Sequence, residues 1–520
     1  MVQSFSEDFQ VLWKDPADAQ LHWNWDKMHW PRPAPPLAVD VFRVLAAEVF
    51  SARTAAVNGY VYMQGFTIPP PPPEVWARGV LDVWENEYMP LIRSACESCR
   101  TADYDSMSAI QLADSLQDLM TQASDAMRYT MIVAMAFGFP TNQLADFCEA
   151  ELGPEGAQLV ATMLQGFDNA SAEAGGGLGK LAQVAAGWPE VAAALREARY
   201  QQLESVAGGP EFLRTLRSYL DEYGWRVETW GRIHVPTWAE DSSVPLMLIG
   251  HYLNDASVSP ASAMERSVAM QKDAARELES RLSDEKLAQF REMFAKCHNH
   301  VRISEGRAFW QLTIDGSLRV PFLALGAKLV EASTLAEAND VFFLSAEELK
   351  EAARSPAISK QALVTARKAD LERWERLAPP AFVGAPPPTS QMSPEIQRAV
   401  ARFWGGEITP STEENVIKGN AASKGRAHGV ARVVMDLGDA VRLRKGEILV
   451  CPSTAPPWTP LFAIAAAIVT DTGGILSHSA ICAREYGIPC VVGTQVGTRQ
   501  IPDGAMITVD GGEGTVRIEG

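Results

Sequence analysis

Near residue 420 the spacing of apolar residues changes period, and that change constrains the fold more than any other feature. Before it, from about 38 to 378, apolar residues recur every three or four positions in "AVDVFRVLAAEVFSARTAAV" (38–57), "AIQLADSLQDLMTQASDAMRYTMIVAMAF" (109–137) and "LSDEKLAQFREMFAKC" (282–297). That spacing predicts amphipathic helices. After it come short β-rich runs separated by turns: "ARVVMD", "EILVCP", "AAIVTD", "CVVGT", "MITVDG" and "GTVRIEG". These read as a compact α/β domain. The chain is therefore expected to be multidomain: a mainly α-helical body over 1–378, a proline-rich linker over 379–411 and an α/β domain over 412–520. Within the linker, "APPAFVGAPPPTSQMSP" (378–394) predicts an extended, stiff spacer.

Composition narrows the function. The net charge of −18 opposes a broad nucleic-acid surface, because phosphates would be repelled. "MVQSFSEDFQVLWKD" lacks the basic start and apolar core of a signal peptide, and no apolar run reaches membrane-spanning length. Seven cysteines, an odd and sparse set, fit reduced thiols in a cytoplasmic protein. Cys96 and Cys99 form a C-x-x-C without a second ligand pair at suitable spacing, so they read as plain helix residues. "AGGGLGKLA" (174–182) resembles a phosphate loop faintly, but has Ala174 and Leu181 where Gly and Ser/Thr belong, and reads as a loop entering a helix.

The chemistry concentrates in "TDTGGILSHSAICAREYGIPCVVGT" (470–494). A buried strand leads into Gly473 and Gly474, which permit a tight turn and are expected to expose backbone N–H groups. Ser477 is placed to cap a helix starting near His478. Helix N-termini favour bound anions and disfavour imidazolium, so His478 should be neutral and nucleophilic beside a phosphate site. Thr472 and Ser477 would add hydroxyl donors to that site. A neutral imidazole there suits accepting and then donating a phosphoryl group. A shorter Gly-Gly-x-x-Ser-His would equally fit a histidine capping a helix in a Rossmann-like turn.

The full stretch resembles the phosphohistidine signature of the swivelling "mobile" domain of phosphoenolpyruvate-utilising enzymes, as do "ASKGRAHGVARVV" (422–434), "GEILVCPSTAPPWTPLFAIAAAIVTD" (446–471) and "IPDGAMITVDGGEGTVRI" (501–518). The resemblance implies a β/β/α swivelling domain in which His478 is phosphorylated and carries the group between two active sites. More patchily, the body resembles the substrate region of rifampin phosphotransferases, through "HWNWDKMHWPRPAPPLAVDVF" (22–42), "YLDEYGWRVETWGRIHVPTWAEDSSVPLMLI" (219–249), "ISEGRAFW" (303–310), "NDVFFLSAEELK" (339–350) and "PPAFVGAPPP" (379–388). The phosphoenolpyruvate-binding barrel and an ATP-grasp domain are expected to be missing. The chain thus looks like one subunit of a split system, as in phenylphosphate and alkylphenyl-phosphate synthases. That resemblance implies a separate ATP-grasp-type subunit that binds ATP and Mg2+, with no cofactor or metal held tightly by this chain. It further implies transfer of the β-phosphate to His478, release of AMP and phosphate, and a phenolic acceptor of small size. Alternatives are an antibiotic phosphotransferase component, or a regulatory phosphohistidine module that binds a protein.

Candidates for acceptor handling are weaker. His251, His298 and His300 are possible general bases. Arg226, Arg302 and Arg307 could meet the arriving phosphoryl group, or form salt bridges with neighbours. Trp25 and Trp230 stand for an aromatic set, including Trp23, Trp30, Tyr60, Tyr62, Trp225 and Trp238, that could contact a planar ligand or fill the core. Cys482, one helical turn after His478, reads as packing.

Overall fold

The computed structural model describes residues 9–13, 15–67, 71–164, 170–255, 260–386, 394–406 and 408–519. It divides into two compact units: residues 1–135, 229–236 and 310–391, and residues 136–228, 237–309 and 392–520. Both divisions after 135 and after 309 fall within long helices, Ala109–Leu152 and Asp284–Glu331.

The first unit is helical around a small antiparallel sheet. Its strands are β1 (His22–Trp25), β2 (Arg53–Val57), β3 (Tyr60–Gln64) and β4 (Phe382–Gly384), in the order β2-β3-β1-β4. The expectation of one helix over 38–57 is corrected: the helix is Pro36–Phe50 and ends at Ser51, whose φ is +50°. The reason lies just beyond it. Asn58 and Gly59 both take positive φ, +48° and +73°, which suits a two-residue hairpin turn matching strand twist. Val57 then pairs with Tyr60 and Arg53 with Gln64. The spacer reading is also corrected in part. Residues 382–384 pair with β1, Val383 opposite Trp23, and Val383 is fully buried. Residues 387–393, the centre of that proline-rich stretch, lie outside the described residues.

The second unit joins helices to the C-terminal sheet. The eight strands run in the order β5-β12-β11-β7-β8-β9-β10-β6. They are β5 (Val416–Lys418), β6 (Asn420–Ser423), β7 (Arg426–Val433), β8 (Ile448–Cys451), β9 (Ala467–Thr470), β10 (Cys490–Val492), β11 (Met506–Asp510) and β12 (Thr515–Ile518). β7, β8, β9 and β10 are parallel neighbours, while β6, β11, β12 and β5 pair antiparallel. β8 and β9 are buried at every position, which explains their uninterrupted apolar runs. One face of the sheet buries Val450, Val469, Val491 and Val509. The other shares a core with the helices: Leu449, Ile468 and Val492 join Leu181, Leu216, Leu248 and Tyr252. Two polar ties reinforce that union, a Leu437 N–H donated to Glu228 and an ion pair between Lys445 and Asp255.

"AGGGLGKLA" is not a loop but part of the helix Ala170–Ala186. Gly177 lies so close to the Tyr219 ring that a Cβ there would stand 2.6 Å from it, so the glycine permits helix contact at the cost of local propensity. Cys96 and Cys99 are buried on the helix Met89–Thr101, and all seven cysteines are free thiols. No described helix is long and apolar enough to cross a membrane.

Candidate functional site

His478 opens the helix His478–Tyr486, which connects β9 to β10 and begins beyond the C-terminal end of the parallel strands. Ligands of open α/β sheets favour that end. Ser477 is the N-cap in extended conformation, and its Oγ accepts the Ala480 N–H at 3.4 Å. Gly487, in the left-handed region at φ +66°, ends the helix. The first-turn N–H groups of such a helix have no acceptor of the helix's own, which is the basis of anion binding there.

The imidazole is half-buried. Its Nε2 lies 3.1 Å from Thr459 Oγ1 and 3.4 Å from Cys482 Sγ, and Cys482 Sγ lies 3.7 Å from Thr459 Oγ1. The thiol read as simple packing therefore faces the reactive ring. Thr459 sits on the 3-10 helix Pro456–Ala463, and beside it Thr454 Oγ1 bonds Ser479 Oγ at 2.8 Å. A ring held by a hydroxyl and a thiol on one nitrogen has a restricted orientation, which a phosphoryl acceptor needs. Cys482 carries a spacing signal, four residues after His478 on one helix, but reads as packing in sequence alone; Thr459 carries none. Thr459 is found only when β8 and β9 bring residues 454–463 and 478–482 together.

The Gly-Gly turn is used differently from the expectation. Gly473 N–H donates to the Trp404 carbonyl at 3.2 Å, and Gly474 N–H to that of Phe403 at 3.1 Å. Leu476 N–H donates to the Arg402 carbonyl at 2.7 Å. These donors thus satisfy the C-terminal carbonyls of the helix Pro394–Trp404 rather than facing an anion. Gly473 has φ +107°, and a Cβ on Gly474 would stand 2.2 Å from the Ala401 oxygen. Thr472 Oγ1 donates to the Pro452 carbonyl at 3.1 Å, so its proton is committed to the fold. Arg484 braces the loop from below, donating to the carbonyls of Ala422 and Ile475 at 2.7 and 2.9 Å. Burial lowers its guanidinium pKa to about 10. Asp471 accepts the Thr498 N–H at 2.9 Å and Thr498 Oγ1 at 2.5 Å, fixing the end of β9.

The acceptor candidates scatter. In the second unit, Arg226 is buried, donates Nε to the Tyr223 carbonyl at 3.2 Å, and lies over the rings of Phe309 and Trp238 at 4.9 and 5.7 Å. Burial lowers its pKa. His251 is half-buried on the helix Ser243–Asn254, its pKa lowered by burial and then by Lys445. Arg307 is half-buried on the helix Asp284–Glu331. The side chains of His298, His300 and Arg302 lie outside the described residues. In the first unit, Trp25 donates Nε1 to the Trp30 carbonyl at 3.0 Å and meets Tyr60 edge-on at 5.7 Å. Trp23, Trp30 and Tyr62 are core residues. Trp230 is buried among Phe42, Phe50 and His29, at 4.8, 5.0 and 5.2 Å.

Comparison with known proteins agrees with this architecture. Residues 443–514 match the PEP-utilising enzyme mobile domain, and residues 127–305 match the rifampicin phosphotransferase fourth domain. The chain is 30% identical to chondramide synthase cmdD of Chondromyces crocatus, over 98% of this chain and 14% of that protein. It is 32% identical to the uncharacterised phosphotransferase YvkC of Bacillus subtilis, over 61% of this chain and 38% of that protein. Rifampicin phosphotransferase of Streptomyces sviceus is 30% identical over 72% of this chain and 42% of that enzyme. The chain thus spans less than half the length of each of these relatives. It contains a mobile domain of the PEP-utilising enzymes joined to a rifampicin phosphotransferase fourth domain, and through both it is related to the rifampicin phosphotransferases.

Proposed function

We propose that this chain is the phosphohistidine-carrying component of an ATP-dependent phosphotransferase, with His478 as the carrier. The observation that supports this best is the imidazole at the start of a capped helix, its Nε2 fixed by Thr459 and Cys482, inside a segment matching the mobile domain. In the first half-reaction an ATP-grasp-type subunit, holding ATP and Mg2+, would transfer the β-phosphate to His478 and release AMP, with water taking the γ-phosphoryl group as free phosphate. In the second the carrier domain presents the phosphoryl group to an acceptor hydroxyl. A phenol or alkylphenol suits this role, because its hydroxyl ionises with help from an ordinary base. Relatives named rifampicin phosphotransferase favour a second reading, in which the acceptor is a rifampicin-like antibiotic.

The test is labelling. ATP labelled in the β-phosphate, with the ATP-grasp subunit present, should place acid-labile label on wild-type chain and none on His478→Ala. Mass spectrometry over phenols and rifampicin then identifies the acceptor. Product formed at the normal rate by His478→Ala would refute the carrier role. Self-labelling of purified chain by ATP would refute the split arrangement.

A further inference from the structure

The first unit contains an acid–base cluster that the spacing of its residues does not announce. His29 Nδ1 lies 2.9 and 3.0 Å from the two carboxylate oxygens of Asp26. The His29 side chain is 27% exposed and that of Asp26 10%. A carboxylate on Nδ1 assigns the proton to that nitrogen and leaves the lone pair on Nε2. Among the described residues Nε2 has no hydrogen-bond partner. The ring stands edge-on to Trp230. From there an aromatic wall runs through Phe50, 5.0 Å from Trp230, to Phe66, stacked on Phe50 at 4.6 Å. Phe66 is 47% exposed and the His29 side chain partly so, so the row of rings meets solvent at both ends, with Phe50 and Trp230 buried between them.

The wall carries two unsatisfied buried atoms of opposite kind. Trp230 Nε1 is a donor without an acceptor, and Asp315 Oδ1 is an acceptor without a donor. Trp230 is 7% exposed and Asp315 fully buried. The two are tied through the residue after Trp230, since Asp315 Oδ2 accepts the N–H of Gly231 at 2.7 Å. Gly231 takes φ +81°, and a Cβ there would stand 2.7 Å from the Phe42 ring and 2.9 Å from that of Trp30, so the close packing requires glycine. Leaving the Trp230 donor unpaired costs about 1–3 kcal/mol, a cost that the oxygen of a bound hydroxyl, an acceptor both before and after it loses its proton, can offset.

We infer that this wall binds a planar aromatic hydroxyl compound and that His29 accepts its proton, with Asp26 as the positioning residue. The O–H bond breaks, its proton forms N–H at Nε2, and the electron pair stays on the phenolate oxygen. The imidazolium so formed is held by Asp26. This rests on the proposed phenolic acceptor and names the residues that would prepare it.

The probe is 4-nitrophenol, whose phenolate absorbs visibly, added to the full chain without any phosphoryl donor. Saturable binding is expected, with a larger ionised fraction bound than free at the same pH. His29→Gln should bind the dye about tenfold more weakly, the loss of one charge-assisted hydrogen bond, and without extra ionisation. Its affinity for 4-nitroanisole, which has no proton to give, should stay within about twofold. Phe66→Ala, at an exposed position that does not endanger folding, should weaken both ligands. Asp26→Asn should keep the affinity for 4-nitroanisole and lose the ionised signal. Absence of saturable binding, or ionised bound dye in His29→Gln, overturns the inference. Normal dye binding in a chain whose His478 takes no phosphate would instead refute the carrier reading alone.

Discussion

Replacing Gly474 by alanine should loosen the loop that carries His478, by an amount that the structure sets. The new Cβ would stand 2.2 Å from the Ala401 oxygen and 2.3 Å from the Arg402 oxygen, both backbone atoms of the helix Pro394–Trp404. That helix cannot yield freely. Arg402 is buried and pairs with Asp146 at 2.7 Å and with Glu149. Relief of the overlap therefore separates loop and helix, and the hydrogen bonds from Gly473, Gly474 and Leu476 go together. At about 0.5–1.5 kcal/mol each, their loss amounts to about 2–4 kcal/mol of local stability. Amide hydrogen exchange over 471–477 and 398–406 reads this directly, with protection expected to fall about 30- to 1000-fold. The same displacement moves the Ser477 cap and the His478 ring, and a misplacement of about 1 Å costs on the order of a hundredfold in rate. Labelling of His478 should fall accordingly. Gly438→Ala serves as the control, because a Cβ there meets nothing within 4 Å. Unchanged exchange and labelling in Gly474→Ala would refute the reasoning, since the contact would then not determine the loop.

Two further outcomes are expected. Thr459→Val removes the hydroxyl 3.1 Å from His478 Nε2; stability should change by less than about 1.5 kcal/mol, while label transfer slows by up to about tenfold, and an unchanged rate would show that the hydroxyl does not orient the ring. Burial raises the Asp315 carboxyl to about 7, so between about 4 and 7 the folded chain keeps a proton that the unfolded chain has lost, and stability falls as pH rises through that window. Asp315→Asn should flatten this slope, worth about 3–5 kcal/mol, in urea midpoints followed by tryptophan fluorescence across pH, and an equally steep slope in the variant would place the titration elsewhere.

The candidate site was legible where its determinants are neighbours in sequence. Ser477, His478 and Gly487 define a capped and terminated helix through their own backbone preferences, and the structure contains it. The hairpin at Asn58-Gly59 was equally local and was missed, because the apolar spacing of 38–50 was extended through residues whose turn chemistry ends it. Gly177 shows the opposite case: glycine-rich composition signals a loop, but contact with Tyr219 overrides that propensity.

By itself the sequence determined the change from helical to strand period near residue 420 and the strand–turn–helix order around His478, because both depend on residues within a few positions of one another. Only the tertiary structure decided what surrounds those elements. It directs the Gly473 and Gly474 donors to carbonyls some 70 residues earlier, and brings Thr459 to the imidazole nitrogen that Cys482 already faces from the same helix. It joins residues 382–384 to a strand beginning at His22, and sets Asp315 beneath the turn at Gly231. Periodicity specifies which face of an element is buried; it carries no information about which distant element covers that face, and that choice is made by shape and hydrogen-bond satisfaction when the elements pack.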